Sequence, residues 1–266
     1  MKKVRLDNFL VNLGYFDNKS KASANIMAGN VQVDEVIITK AGHHLDTAKN
    51  YEIKVKTTPF VSRGGLKLQK AVETFNVDIK NRICLDAGAS TGGFTDCLLQ
   101  NGAQKIYAVD VGYGQIDWKL RSNDKVKVIE RTNIKNCDFS QIYLPKEPIA
   151  DLAVMDLSFI SLKKVLPNIK TLLKENHEII ALIKPQFEVG KEHIAKGGVV
   201  KEKNAQARAI YDVIDFAKTL GYNAIDLTYS PLKGPAGNCE YLIHLSTETA
   251  KQQDFLIKNI VNEANT

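Results

Sequence analysis

The stretch from Leu85 to Asp96, LDAGASTGGFTD, constrains this chain more than any other. Apolar Ile83-Cys84-Leu85 runs into it as a short buried strand. Gly88, Gly92 and Gly93 let the backbone turn tightly and approach a ligand closely. Residues 94–100 can leave it as a helix. Strand, glycine turn and helix is how an open α/β sheet builds a nucleotide site at the carboxyl end of its first strand. Asp86 closes that strand. A second apolar run, Lys105 to Val109, ends in Asp110, where a carboxylate can accept hydrogen bonds from ribose hydroxyls. The chain holds no Gly-x-x-x-x-Gly-Lys-Ser/Thr, so a triphosphate loop is not predicted. A dinucleotide fingerprint beginning at Gly88 would need glycine at Ser90, and serine departs from it.

The charge is unevenly placed. Of a net +6, residues 1–70 hold 12 of the 36 Lys and Arg but only 6 of the 30 Asp and Glu, so the whole excess lies in the first quarter. A basic small domain beside a neutral larger one points to nucleic acid at the front. No apolar run reaches the roughly 18 residues of a membrane span, and no long apolar core follows the basic start Met1-Lys2-Lys3-Val4-Arg5. Cys84, Cys97, Cys137 and Cys239 lack C-x-x-C spacing. They read as reduced thiols of a cytoplasmic protein, with neither a disulfide frame nor a metal site.

Leu6, Phe9, Leu10 and Leu13 fall on one helical stripe that Gly14 ends. Lys19-Ser20-Lys21 opens a second helix with Ala22, Ile26 and Met27 inward, closed by Gly29. Residues 31–33 and 36–38 read as short strands. Tyr51, Ile53 and Val55 alternate with Glu52, Lys54 and Lys56, a half-buried strand. The His43-His44 pair reads as turn surface. This front region, RLDNFLVNLGY…KSKASANIMAGNVQVDEVIITKAGHHLD, resembles the RNA-binding fold named for ribosomal small-subunit protein S-four. The resemblance implies RNA contacts from Arg5, Lys19, Lys21 and Lys40, with Arg63 just beyond. Two positions depart from the family. Lysines stand where arginine is usual between the helices, which loses the bidentate fork. Asp34-Glu35 replaces the common Asn-Gly, and since Glu tolerates a positive φ poorly, a longer or different turn is expected.

Thr57-Thr58-Pro59 breaks the strand pattern. The expected division is a small α+β RNA-binding domain at 1–58, a linker at 59–65 and a second domain at 66–266. A helix is expected from Leu66 to about Phe75, with Lys67 near its start. From Arg82 onward strands and helices alternate. Strands are predicted at 83–86, 105–110, 126–130, 152–156, 178–184, 223–229 and 240–246. Helices are predicted at 94–100, 116–121, 135–141, 161–173 and 203–220. No helix joins the last two strands, so they form an antiparallel pair. The near-continuous apolar strands imply a sheet buried on both faces. This pattern is that of the seven-stranded, Rossmann-like class I methyltransferase sheet.

LDAGASTGGFTD resembles the first motif of S-adenosylmethionine-dependent methyltransferases. The resemblance places the cofactor on Asp86, Gly88, Ser90, Gly92, Gly93 and Phe94, its ribose on Asp110 and its adenine by Thr132 and Asn133. The acceptor is read after the fourth strand. Asp156-Leu157-Ser158-Phe159 lacks the prolines of amino-group methyltransferases, and Cys239 is the only cysteine in a loop suited to carbon methylation. Lys67, Asp156, Lys184 and Glu240 all lie at strand ends or the approach to them. A lone lysine after Ile179-Ile180-Ala181-Leu182-Ile183 would be costly to bury. Paired ions holding the mouth of the sheet are one explanation. The other is that the four resemble the Lys-Asp-Lys-Glu tetrad of FtsJ-type ribose 2′-O-methyltransferases. By that resemblance Lys184 is the central base, Asp156 its partner, and Lys67 and Glu240 the outer pair. A ribose hydroxyl is a weak acid, so its proton must be removed or its developing charge stabilised.

The front domain followed by VSRGGLKL, LDAGASTGGFTD, VMDLSFISL, LIKPQFEVG and KGGVV resembles the TlyA family over essentially the whole chain. Its members are described as haemolysins and as 2′-O-methyltransferases of ribosomal RNA cytidines. After GGVV the family often has Arg-Asp and a His, where this chain has Lys201-Glu202 and Gln206. The implied partner is ribosomal RNA or a ribosomal subunit, with no membrane span and no obligate protein partner. The rival reading, a membrane-damaging haemolysin, requires an insertion segment and an export signal, and neither is visible. An inactive binding module would show a broken tetrad or a lost glycine turn, and both are intact.

Overall fold

The computed structural model describes residues 3–16, 18–27, 29–55, 59–248 and 255–266. Lys56 and the Thr57-Thr58 break fall outside them. The chain divides into two compact units, Met1–Pro59 and Phe60–Thr266.

In the smaller unit β1 (Lys3–Arg5) leads into α1 (Leu6–Asn12) and α2 (Lys19–Met27). Then follow β2 (Val31–Val33), β3 (Val36–Ile37), β4 (His44–Asp46) and β5 (Ile53–Val55). β2 is the centre of a three-stranded sheet between β3 and β5, and β1 pairs antiparallel with β4. Leu6, Leu10, Ala22, Ile26, Val31, Val33 and Leu45 form the core. Leu13 and Met27 do not join it, being 55% and 65% exposed. α1 stops before Leu13, and Gly14 at φ +79 turns the chain away. The β2–β3 turn is also tighter than expected. It is a two-residue turn with Asp34 at φ +49 and Glu35 at φ +66, the primed geometry that matches strand twist. Asp34 is clamped to β5: its N–H donates to Glu52 O at 2.9 Å, and its carboxylate accepts from Glu52 N at 2.8 Å. Those bonds offset the strain at Glu35.

The larger unit begins earlier than the expected linker allows. Phe60 is buried against Gly65, Val61 N–H donates to Asp96 Oδ2 at 2.8 Å, and α3 (Gly64–Phe75) starts inside residues 59–65. Residues 60–65 therefore belong to this unit. The sheet strands are β6 (Ile83–Ala87), β7 (Lys105–Val109), β8 (Val126–Ile129), β9 (Leu152–Met155), β10 (Glu178–Ile183), β11 (Asn223–Tyr229) and β12 (Tyr241–Ser246). Their order is β11-β12-β10-β9-β6-β7-β8, with β12 antiparallel to both neighbours and β10-β9-β6-β7-β8 parallel. Between them lie α4 (Gly93–Gln100), α5 (Trp118–Arg121), α6 (Phe139–Ile142), α7 (Leu166–Thr171), α8 (Pro185–Glu188) and α9 (Lys203–Thr219), and α10 (Ile257–Ala264) follows β12.

Alternation along the strands feeds two cores. Cys84, Val154, Ile180, Leu182 and Leu242 pack with Leu68 of α3 and Phe94 of α4. Leu85, Met155, Ala181, Ile183 and Tyr241 pack with Ile210 and Val213 of α9 on the other face. Two predicted helices are broken. Residues 161–173 hold a 3₁₀ turn, Leu162–Lys164, before α7, because Pro167 has no N–H to continue a helix from the preceding turn and is tolerated only in a helix's first turn. Residues 135–141 divide at extended Cys137, after which Asp138 caps α6.

The amino ends of three strands are tied by ions. Arg82 reaches Asp151 at 2.8 Å and also binds Glu178, and His244 Nε2 lies 3.0 Å from Glu178 Oε1. His244 and Arg82 together pull the Glu178 carboxyl down to about 2. A folded-state value below the unfolded one gives stability that is present above the unfolded value and lost as pH falls. The urea midpoint is expected to drop between about pH 5 and about pH 2. Glu178→Gln is expected to lower the midpoint at neutral pH and flatten that drop. An unchanged slope in the variant would remove Glu178 from the linkage.

Candidate active site

β6 delivers the chain into a turn in which Gly88, Ser90 and Gly92 have φ of +91, +51 and +96. The turn is held to β7 by Gly88 N and Ala89 N, both donating to Val109 O. A Cβ on Gly88 would lie 2.9 Å from Asp156 O, so glycine lets the turn rest on the loop after β9. A Cβ on Gly93 would overlap Ser62 Oγ and lie 2.8 Å from Gly65 N, so glycine lets α3 close over α4.

A cleft of about 530 Å³ opens beside the turn, lined by Gly88, Ser90, Asp110, Thr132, Asn133 and Asp156 among others. The Asp110 carboxylate is oriented by two backbone donors, Ser90 N at 2.7 Å and Gly112 N at 2.6 Å. Thr132 N donates to Asp110 O, which carries the third strand's end to the same wall. Asp86, Gly92, Gly93 and Phe94 are not on that wall, and Asp86 and Gly92 do not line the adjoining cavity either. Asp86 is fully buried; its Oδ2 accepts from Thr95 Oγ1 at 2.6 Å and its Oδ1 has no hydrogen-bond partner among the described residues. Burial, with Asp156 and Asp110 nearby, pushes its carboxyl up to about 7. Its side chain shares the strand face of Cys84, toward α4, so it supports the turn from beneath. Gly92 likewise faces inward, where a Cβ would strike Leu120 Cδ1.

A second cavity of about 230 Å³ shares Gly88, Ser90, Asp156 and Ser158 with the first, and Gly93 and Phe94 reach it. Here all four residues of the predicted tetrad converge. Lys67 comes from the first turn of α3, Asp156 and Lys184 follow β9 and β10, and Glu240 precedes β12. Lys67 Nζ is 2.7 Å from Glu240 Oε2 and 3.5 Å from Asp156 Oδ2, and Lys184 Nζ is 2.7 Å from Asp156 Oδ1. The order in space is Glu240–Lys67–Asp156–Lys184, two cations and two anions, which is what lets Lys184 be buried and Lys67 half-buried. Lys184 also donates to Ser158 Oγ at 2.9 Å. The sequence reading missed Ser158; its only signal was the place two residues after Asp156.

Glu188 was missed as well. It closes α8, directly after Lys184, and is buried. Its carboxylate accepts from Ser161 Oγ at 2.6 Å and Leu162 N at 2.7 Å, tying the loop after β9 to the segment after β10. Of the predicted RNA contacts, Lys19, Lys21 and Lys40 are exposed on the smaller unit. Arg5 is not an open charge, because Nε and Nη2 both bind Asp7, at 3.1 and 2.6 Å. Arg63 is exposed at the head of α3, between Ser62 and Gly64 of the second cavity. Glu188→Ala leaves the buried Leu162 N–H unpaired and is expected to cost about 1–3 kcal/mol, read as a lower urea midpoint at unchanged m. An unaltered midpoint would show that the tie carries no stability.

Residues 60–247 match the FtsJ-like methyltransferase family, and residues 4–49 match the S4 domain. The chain is 41% identical to the Mycobacterium tuberculosis 16S/23S rRNA (cytidine-2′-O)-methyltransferase TlyA, over 93% of this chain and 91% of that protein. It is 40% identical to Hemolysin A of Brachyspira hyodysenteriae, over 91% and 99%. A solved structure described as a candidate hemolysin from Streptococcus thermophilus superposes with TM-score 0.77 at 38% identity, covering 100% of this chain and 96% of that one. With the glycine turn, the tetrad and both domain matches in one chain, this protein belongs to the FtsJ-like methyltransferases, in the TlyA-like group that carries an S4 domain ahead of the catalytic one.

Proposed function

We propose that this chain transfers a methyl group from S-adenosylmethionine to a ribose 2′-hydroxyl of ribosomal RNA, at a cytidine, in the cytoplasm. The observation that carries the reading is the Lys67–Asp156–Lys184 chain opening on the same cavity as the glycine turn. Relatives named as ribosomal RNA cytidine-2′-O-methyltransferases, from two organisms, support the substrate. The cleft residues fit the cofactor. Asp110 offers an oriented carboxylate, and Gly88 leaves backbone without a Cβ at the wall. When bound, the cofactor supplies an electrophilic methyl group.

The residues then have separable roles. Asp110 accepts from vicinal hydroxyls. Lys184 would take the acceptor hydroxyl's proton while the oxygen's electron pair forms the new bond to the methyl carbon and the carbon–sulfur bond breaks, its electron pair staying on the sulfur, which leaves as the neutral thioether. Asp156 holds Lys184 and stabilises it once protonated. Lys67 holds the second oxygen of Asp156, Glu240 holds Lys67, and together they keep the group's charge balanced. Exposed Lys19, Lys21 and Lys40 offer backbone phosphates a sequence-independent attraction. The membrane-active alternative draws on relatives' names alone; among the described residues no helix is long and apolar enough to cross a membrane.

Mass spectrometry of ribosomal RNA nucleosides, with and without the protein, tests the reaction directly: a 2′-O-methylcytidine gained is expected, and none gained refutes it. Asp110→Ala is expected to weaken cofactor binding about tenfold to a hundredfold by calorimetry, from lost charge-assisted hydrogen bonds. Lys184→Ala is expected to keep cofactor affinity and lower single-turnover methyl transfer by roughly 10² to 10⁴. Lys184→Arg is expected to fail too, because guanidinium stays protonated. A near wild-type rate in that variant would rule out lysine as the proton acceptor.

A further inference from the structure

Two features have no part in the cleft chemistry, the segment Lys196-Gly197-Gly198-Val199-Val200 and the buried Gln206. Gly197 and Gly198 have φ of +93 and +80, and Ala195 bridges Val199, so the segment is a tight turn that returns Val200 to the interior. Both backbone groups of Val200 are then taken by buried side chains. Its N–H donates to Asn238 Oδ1 at 2.9 Å, and its carbonyl accepts from Gln206 Nε2 at 2.8 Å. Asn238 Nδ2 donates to Gly198 O at 2.9 Å. Gln206 Oε1 accepts from Tyr241 OH at 2.6 Å and from Asn265 Nδ2 at 2.8 Å. The circuit Asn238–Val200–Gln206–Tyr241 closes through the backbone of residues 238–241.

Glu240 lies between the two anchors of that circuit. Side chains alternate across a strand. Cys239 and Tyr241 join the core beneath α9, whereas Leu242 joins the core beneath α3. Glu240 shares the face of Leu242 and accepts from Lys67 Nζ at 2.7 Å. A Cβ on Gly234 would sit 2.6 Å from Glu240 Oε1, so that side of the carboxylate is closed. Residues 230–240 contain no helix or strand, and cross-links of this kind fix their path.

We propose that Gln206 is a positioning residue for methyl transfer: with Asn238 it pins the start of β12 from one face of the sheet, so that Glu240 meets Lys67 on the other. This rests on the methyltransferase reading above. Glutamine suits the post because it donates and accepts at once. Leucine does neither, glutamate cannot donate to the Val200 carbonyl, and a neutral histidine presents one donor and one acceptor nitrogen.

The test is a double-mutant cycle in single-turnover transfer at saturating cofactor. Gln206→Leu is expected to slow transfer on the order of 10- to 100-fold with cofactor affinity unchanged, as a misplaced group does. Gln206→His is expected to keep most of the rate, and Gln206→Glu to lose it. In a Glu240→Gln background Gln206→Leu is expected to cost less than about twofold more, since it acts through Glu240. Equal losses in both backgrounds would overturn the proposal. Tyr241→Phe, which removes one hydroxyl, goes through the same cycle should Gln206→Leu fail to fold. Hydrogen–deuterium exchange of residues 230–242 is expected to quicken in Gln206→Leu, and unchanged exchange also overturns the proposal. The exchange experiment reads the clamp without any turnover, so an inactive wild-type preparation would count against the reaction and not against Gln206.

Discussion

Two ammonium groups sit at the carboxyl end of an apolar sheet, and they can do so only because carboxylates meet them. Lys67 and Lys184 keep 12% and 8% of their side-chain surface. Asp156 serves both, one oxygen toward each. Removing either kind of partner would leave a buried unpaired charge, which costs far more than the intact pair contributes. Much of the larger unit is arranged to keep this line of charges short. β9 and β10 are parallel neighbours, so their ends emerge side by side. β12 runs the other way and brings Glu240 to the same edge from its own start.

The glycine turn serves that arrangement as much as it serves a ligand. Gly88 lets the turn rest on Asp156, Gly93 lets α3 approach α4, and α3 carries Lys67. The glycines after β6 therefore set the distance between the larger cleft and the four charged residues, and the two cavities share residues in consequence. The opposite end of the sheet uses the same residue types differently. Arg82, Asp151 and Glu178 tie three strand starts together, His244 reaches Glu178 from within β12, and the group bears on stability.

The regular elements were legible because their physics is local. Near-continuous apolar runs gave the seven strands within a residue or so at each end, and the stretch 203–220 gave its helix. Asp156, Lys184 and Glu240 could be grouped because they stand at strand ends, and Lys67, on α3, joined them through the family resemblance. What escaped was non-local. The Asp34-Glu35 turn is tight because Glu52, far along the chain, holds Asp34. Leu13 faces outward because α1 ends one residue before it. Ser158, Glu188 and Gln206 have ordinary neighbours in sequence and acquire partners only on folding.

The amino-acid sequence by itself determined the order of strands and helices, the glycine turn, the residue types at each strand end and the basic front. These follow from backbone sterics, apolar periodicity and charge, each acting over a few residues. Only the tertiary structure decided that Asp86 lies beneath the cleft and Asp110 on it, that Arg5 is bound to Asp7, and that Asp156 bridges two lysines. Each of those outcomes depends on which side of a strand or loop faces which neighbour, and that is fixed by packing between segments far apart in the chain.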